Sequence, residues 1–263
     1  MRDFPSASDP ILSVVIPVRN ARAAWRETWE SLCALDAQGE WMEVVVVDGG
    51  SDDGTWEDLC AQEQQISRMG PRMILLQRPP LGIYDAMNAG AATAGGMWWT
   101  FMGAGERVNP HFDWRAWRDQ ASEDVLQVFS VDLLPPREPG VPASYPARWD
   151  ASLRWRHTTH HQGIWYPANL LPLPPFDVRW KVLSDYDLHL HLFQAGSTAQ
   201  CWPLQWVSVR SGGVSRRFDL ALYREELEIK WRRLPLLQAA AVTPFILLKW
   251  LYKQVVRSLR SPR

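Results

Sequence analysis

The chain reads as an α/β protein built on a mostly parallel sheet with helices on both faces. Three observations predict this. Short runs rich in β-branched residues alternate with segments of helical spacing as far as residue 102. The runs are apolar throughout instead of at every second position, the pattern of strands covered on both faces. Turn residues separate them, and a βαβαβαβ order closes into a parallel sheet through right-handed crossovers.

Each element follows in turn. Ile11 to Val18 is a buried strand. Residues 21–35 follow as a helix, with Ala24, Trp25, Thr28, Leu32 and Leu35 near helical spacing. Trp41 to Val47 is a second buried strand, stopped at Asp48-Gly49-Gly50. Ser51 to Thr55 is a turn, and Asp53 or Thr55 is placed to cap a helix over about 55–66. Met73 to Gln77 is a third strand. Ile83 to Ala94 is a helix ended by Gly95-Gly96, and Met97 to Met102 is a fourth strand. Sheets of this kind bind ligands beyond the carboxyl ends of their strands. Asp48 and Glu106 both fall just past such ends, which makes them candidate site residues.

The second half is less regular. Five prolines between 132 and 149 indicate a loop or lid, and residues 167–181 are again proline-rich. Ser184 to Phe193 reads as a helix with Ser184 or Asp185 near its start, followed by strands near 198–202 and 205–210. Thr243-Pro244 is an N-cap and first-turn signal. Beyond it Leu248, Leu251, Tyr252, Val255 and Leu259 keep helical spacing, while Lys249, Lys253, Arg257 and Arg260 form a basic stripe on another face.

Composition narrows the class. With 263 residues, 46% of them apolar and 22% charged, the chain is neither a disordered tail, a collagen-like fibre nor a coiled coil. Its net charge of −1 argues for no nucleic-acid partner. That value hides an asymmetry: residues 230–263 hold eight basic residues and no acid, which leaves 20 basic against 29 acidic residues in 1–229. The organisation read from this is a catalytic body, 1–229, and a basic amphipathic extension, 230–263. A helix of this type over 244–260 lies on an anionic membrane surface, or else packs on the domain with a solvated charged face. The longest uncharged stretch, Leu234 to Leu248, contains Pro235 and Pro244 and is too short to span a bilayer, which takes ~20 residues. The N-terminus lacks the features of a signal peptide, and three scattered cysteines with no CxxC fit neither a disulfide framework nor a zinc site. The reading is a cytoplasmic protein, peripheral on the inner face of the membrane. Its 16 tryptophans leave two explanations open, a heavy aromatic core or a sugar-binding surface.

Four segments carry a resemblance: SVVIPVRN at 13–20, VVVVDGGSDDGT at 44–55, GIYDAMNAG at 82–90 and SDYDLHLHL at 184–192. HQGIWY at 161–166 and GGVS at 212–215 add to it. Together, in this order, they resemble glycosyltransferase family 2, enzymes of GT-A fold that use nucleotide-diphosphate sugars. The subgroup it is most similar to builds bacterial exopolysaccharide or lipopolysaccharide. The resemblance implies an inverting transfer to a lipid-linked or polysaccharide acceptor. The alternative is a non-catalytic nucleotide-sugar-binding or assembly protein on the same fold.

The resemblance also implies roles. Asp48 contacts the nucleobase, where a carboxylate can accept N–H or ribose O–H bonds. Pro17 to Asn20 line the nucleotide pocket with Gly49 and Asp52, the last equally readable as a turn residue. Tyr84, Asp85 and Asn88 lie in the segment that meets the nucleotide sugar. Leu81 stands where many relatives carry a basic residue. The segment Phe101 to Glu106 occupies the place of the acidic metal motif, with Ala104 beside the donor. Gly105 replaces the first acid, which leaves Glu106 as the one carboxylate for Mg²⁺ or Mn²⁺. Asp185 matches the catalytic base, with Asp187 as its partner for loop or acceptor. His161 matches a His-Gln element that meets the diphosphate, the metal or the acceptor. Gly212 to Ser215 read as a loop closing over the donor. Trp98 and Trp99 read as core, and Trp149, Trp155 and Trp165 as surfaces on which an acceptor sugar can stack.

Overall fold

A computed structural model describes residues 10–260 except 37, 38, 40, 66–69, 136–141 and 211–219. The GGVS segment therefore lies outside the described residues. The first half follows the predicted alternation: β1 (Leu12–Val18), α1 (Arg22–Leu35), β2 (Met42–Asp48), α2 (Thr55–Gln65), β3 (Arg72–Gln77), α3 (Ile83–Thr93) and β4 (Trp98–Phe101). Strands β3, β2, β1 and β4 lie side by side and parallel, in that order. β2 is buried along its whole length, as its run of valines requires.

The second half adds β5 (Arg107–Val108), α4 (Trp114–Arg118), β6 (Leu126–Leu134), β7 (Ser144–Tyr145), β8 (Ile164–Pro167), α5 (Ser184–Gln194), β9 (Ala199–Arg210), α6 (Leu220–Arg233) and α7 (Leu236–Arg260). The sheet continues from β4 through β8, β6 and β9 to β5. β8 pairs antiparallel with both β4 and β6, whereas β6 and β9 run parallel. Part of the proline-rich stretch 132–149 is sheet: β7 pairs antiparallel with the end of β6. The two strands read near 198–202 and 205–210 are one strand. Its register jumps from Phe129↔Trp202 to Ser130↔Gln205, so Pro203 and Leu204 bulge out where a proline cannot donate to the ladder.

Alternate residues of β1 face opposite cores. Leu12, Val14 and Ile16 meet α1 and α2 through Trp25, Leu32 and Leu59. Val15 meets α3 and α5 through Met87, Ala91 and Leu188. Gly90 lets α3 sit this close, since a Cβ there would lie 2.4 Å from Val15 Cγ1. The tryptophan excess is mostly core: Trp41, Trp98, Trp117, Trp165 and Trp206 interlock with Phe112 and Phe129 on one face of the sheet. Trp98 and Trp99 are fully buried, as read from sequence. Trp165 is fully buried too, which corrects its reading as a sugar surface: it sits on β8, whose side chains pack on both faces.

A third core joins α5, α6 and α7. Leu190 of α5, Tyr223 and Ile229 of α6, and Ala239, Val242 and Ile246 of α7 are buried together. α7 starts at Leu236, not at Thr243-Pro244, and Pro244 is inside it. The Thr243 hydroxyl, read as a cap, instead donates back to the Ala239 carbonyl at 2.8 Å. The position 229/230 falls inside α6, where Lys230 is buried and donates to Glu226 at 2.9 Å and to the Trp155 carbonyl at 2.7 Å.

Candidate active site

The carboxyl ends of β1 and β2 are laced to each other. Asn20 has left-handed backbone (φ 49°), which asparagine tolerates better than other L-residues bearing a side chain. In this turn its N–H donates to the Ser51 hydroxyl at 2.9 Å, and its side-chain oxygen accepts from the Asp52 N–H at 2.9 Å. Asp48 is fully buried. One of its oxygens accepts from the N–H groups of Gly50 and Ser51, both at 3.1 Å, and the other from the Ser51 hydroxyl. Its carboxylate thus shapes the turn beneath the pocket.

Beside this turn is a pocket of about 260 Å³. Pro17, Val18, Arg19 and Gly49 form one wall; Pro79, Pro80, Gly82, Ile83 and Ala86 form the other. Arg19, within the stretch read as lining the nucleotide pocket, brings a cation, and Arg78 is a second, 3.7 Å from Asp85. Two guanidinium groups near the start of α3 offer what Leu81 lacks, a place for phosphate charge. The α3 residues separate by role. Asp85 remains near Arg78 with one buried oxygen lacking a hydrogen bond. Asn88 exchanges two hydrogen bonds with the backbone of Phe176, at 2.8 and 2.9 Å, and so anchors that loop. Tyr84 donates to the Val182 carbonyl at 2.7 Å and lies 3.3 Å from Asp185. Ala104 packs against the tryptophan core.

Two short contacts made by neighbouring residues assemble the centre. His161 Nδ1 lies 2.8 Å from Asp185 Oδ2, and Gln162 donates from Nε2 to Glu106 Oε1 at 2.9 Å. A 3₁₀ turn over His161–Gly163, leading into β8, carries both. Asp185 is in the first turn of α5. The N–H groups entering that helix are held by Glu225 of α6, which accepts from Lys181, Val182 and Leu183. Asp185 Oδ1 accepts from the Tyr186 N–H at 2.8 Å. Burial pushes the Asp185 carboxyl up, but His157, at 3.9 Å, and His161 outweigh it and hold the group well below the usual carboxylate range. Burial pulls His161 down, but its bond to Asp185 and the charges of Asp185 and Glu106 leave it above the ordinary histidine value. Behind Asp185 a buried chain continues, His157 to His189 at 3.2 Å and His189 to the Tyr166 hydroxyl at 2.7 Å. His157 lies outside the quoted segments and His189 lies within SDYDLHLHL without a role read for it there; their convergence in space reveals both.

Asp187, two residues on, is turned away from Asp185. It is buried and paired with the Arg233 guanidinium through both oxygens, at 2.6 and 2.7 Å.

Glu106 accepts from the Gly103 N–H at 2.8 Å as well as from Gln162, and burial raises its carboxyl above the ordinary value. Gly105 has φ 93°, and a Cβ there would meet Arg210 Nε at 3.0 Å, so an acid at this position would be strained. Among the described residues no group of three or more His, Cys, Asp or Glu is arranged to hold a metal ion. The Oε1 of Gln162 is buried without a hydrogen-bond partner. Glu106 and this oxygen are hard donors, so the residues fit Mg²⁺ or Mn²⁺ if diphosphate oxygens and water complete the shell.

Comparison with known proteins bears on the class of the protein. Residues 13–126 match the model of glycosyl transferase family 2. The chain is 28% identical over 197 residues to PGL/p-HBAD biosynthesis glycosyltransferases of Mycobacterium tuberculosis and Mycobacterium bovis, covering 70% of either chain. Among solved structures it is similar to S. aureus TarS 1–349 in complex with UDP, with a TM-score of 0.63 at 17% identity, covering 90% of this chain and 70% of that one. It is also similar to the mannosyltransferase PcManGT from Pyrobaculum calidifontis in complex with GDP-Man and Mn²⁺, with a TM-score of 0.65 at 17% identity, covering 99% and 79%. Fold and relatives agree on one class: this is a glycosyltransferase of GT-A fold, an enzyme that uses nucleotide sugars. Within that class, residues 13–126 are similar to glycosyl transferase family 2.

Proposed function

We propose that the enzyme transfers a sugar, with inversion, from a nucleotide-diphosphate sugar to a lipid-linked or polysaccharide acceptor in cell-surface glycan synthesis. It works on the cytoplasmic face of the membrane, which residues 244–260 contact. The observation that carries the reading is the placement of one engaged, ionised carboxylate, Asp185, at the same sheet edge as the pocket between Pro17 and Ala86.

The chemistry follows from the residues. The nucleotide lies against Pro17, Gly49 and the Asp48 turn, and Arg19 and Arg78 face its phosphates. Asp185 accepts the proton of the acceptor hydroxyl while that oxygen bonds to the anomeric carbon. The bond from that carbon to the diphosphate oxygen breaks, and nucleoside diphosphate leaves with the electron pair. One displacement inverts the configuration and needs no covalent intermediate. His161 orients Asp185 and balances its charge. Glu106 and Gln162 would hold a divalent cation, which supplies charge stabilisation to the departing diphosphate when bound.

The test is Asp185→Asn. Nucleoside diphosphate release should fall by about 10²- to 10⁴-fold, while nucleotide binding, read by thermal shift, stays unchanged. NMR of the product should show the inverted anomer. Normal turnover by the Asn variant would remove Asp185 as the base.

A further inference from the structure

The outward face of α7 is apolar over its first four turns. Leu236, Leu237 and Leu248 are 69%, 84% and 64% exposed, and Phe245, Leu247 and Leu251 are exposed beside them. Their spacing places all six on one side of the helix, opposite Ala239, Val242 and Ile246, which pack on α6. Ala240, Ala241 and Pro244 fill the space between them and add no charge. The three polar residues in this stretch, Gln238, Thr243 and Lys249, are not on that face. Thr243 accepts from Trp231 at 3.1 Å, and Lys249 is drawn back to Glu226 at 3.2 Å. A continuous exposed apolar face of this kind marks an interaction surface.

We propose that α7 is an interfacial anchor that inserts this face, from Leu236 to Leu251, among lipid acyl chains. The proposal deepens the membrane reading above and rests on it: contact is made chiefly by apolar insertion, and it begins eight residues before Pro244. No helix among the described residues is long and apolar enough to cross a membrane, which agrees with a helix lying in the interface. Charge selects the occupant. Lys230, Arg232, Arg233 and Lys249 pair with acids of the domain, but the sequence that follows carries Lys253, Arg257, Arg260 and Arg263 with no acid, which suits anionic headgroups, whereas a second copy seated on this face would bring two such segments together. The face also leads to the chemistry. Phe245 meets Trp155 edge to face at 6.3 Å, and Trp155 is 47% exposed. Two residues on, His157 lies 3.9 Å from Asp185. An acceptor held in the same bilayer would arrive on the side of the enzyme where its base is placed.

Flotation of the full chain with phosphatidylcholine vesicles, and with vesicles containing phosphatidylglycerol, each at low and high salt, tests this. The protein should float with both, more with the anionic ones, and high salt should not release it. The double variant Leu237→Glu, Leu248→Glu should lose about a hundredfold in partitioning, while keeping its melting temperature and its turnover on a water-soluble acceptor. Binding to anionic vesicles alone, with release by salt, would overturn insertion and leave membrane contact standing through the basic stripe. Absence of binding to either vesicle would overturn both. A dimer in light scattering that the double variant converts to monomer, without flotation, would assign the face to a second copy.

Discussion

Gln162 donates its side-chain amide to Glu106 at 2.9 Å across 56 residues of sequence. The bond ties the loop after β4 to the loop before β8, and it leaves the other amide atom of Gln162, Oε1, buried without a hydrogen-bond partner. If both residues serve a divalent cation, Gln162→Leu should raise the Mg²⁺ or Mn²⁺ concentration needed for half-maximal turnover, by about tenfold. Glu106→Ala should abolish metal-stimulated turnover, and chelation with EDTA should reduce the native enzyme to the same level. Isothermal titration of the metal in the presence of nucleoside diphosphate checks this independently of rate.

His161 and His157 together hold Asp185 ionised against its burial. The base must be ionised to act, so activity is lost as pH falls through its folded value. Removing His161 raises that value. In His161→Gln, then, the acid limb of the kcat/KM profile should move to higher pH, and the same change at His157, which is farther from the carboxylate, should move it less. A pH–rate series on the two variants decides.

Two tryptophans once grouped as sugar contacts should respond oppositely. Trp165→Ala opens a hole among Trp41, Phe112, Trp117 and Trp206 and should cost about 3–5 kcal/mol in denaturant unfolding. Trp155→Ala, on the exposed rim, should leave stability within about 0.5 kcal/mol if its carbonyl still meets Lys230.

Glu226 is buried against Lys230 and Lys249. Burial raises its carboxyl, but the two ammonium groups outweigh that and bring the folded value below 4.5. A lowered carboxylate contributes stability above its unfolded value, and that contribution is lost as pH falls through the folded one. Glu226→Gln should therefore destabilise the neutral-pH protein by about 3–5 kcal/mol, because Lys230 is left buried without a counter-charge. The difference from the native protein should shrink in melts below pH 4.5.

The parallel half of the sheet was legible because β1 and β2 are largely apolar runs, the first ending at Arg19-Asn20 and the second at Gly49-Gly50, a signal confined to neighbouring residues. Pairing of β6 with β9 and the bulge at Pro203 depend on partners about 75 residues away, which local pattern does not encode. α7 was misread at its start because Pro244 mimics a first-turn proline, while the buried Ala239 and Val242 carry the helix through it. In the site, Asp185, His161 and Glu106 were readable as residue types in order. Their joining through Gln162, the histidine chain behind Asp185, and the diversion of Asp187 to Arg233 were not, since each contact spans 23 residues or more.

The grip of α6 on α5 sets the enzyme's frame of reference. Glu225 clasps the entrance of the helix that bears Asp185, and Arg233 clasps Asp187 one step further along. α7 is packed onto the same unit. Leu188 of α5 also packs with Val15 and Met87, so Asp185 is registered at once to the α6–α7 unit and to the sheet that bears the pocket at Pro17 and Gly49.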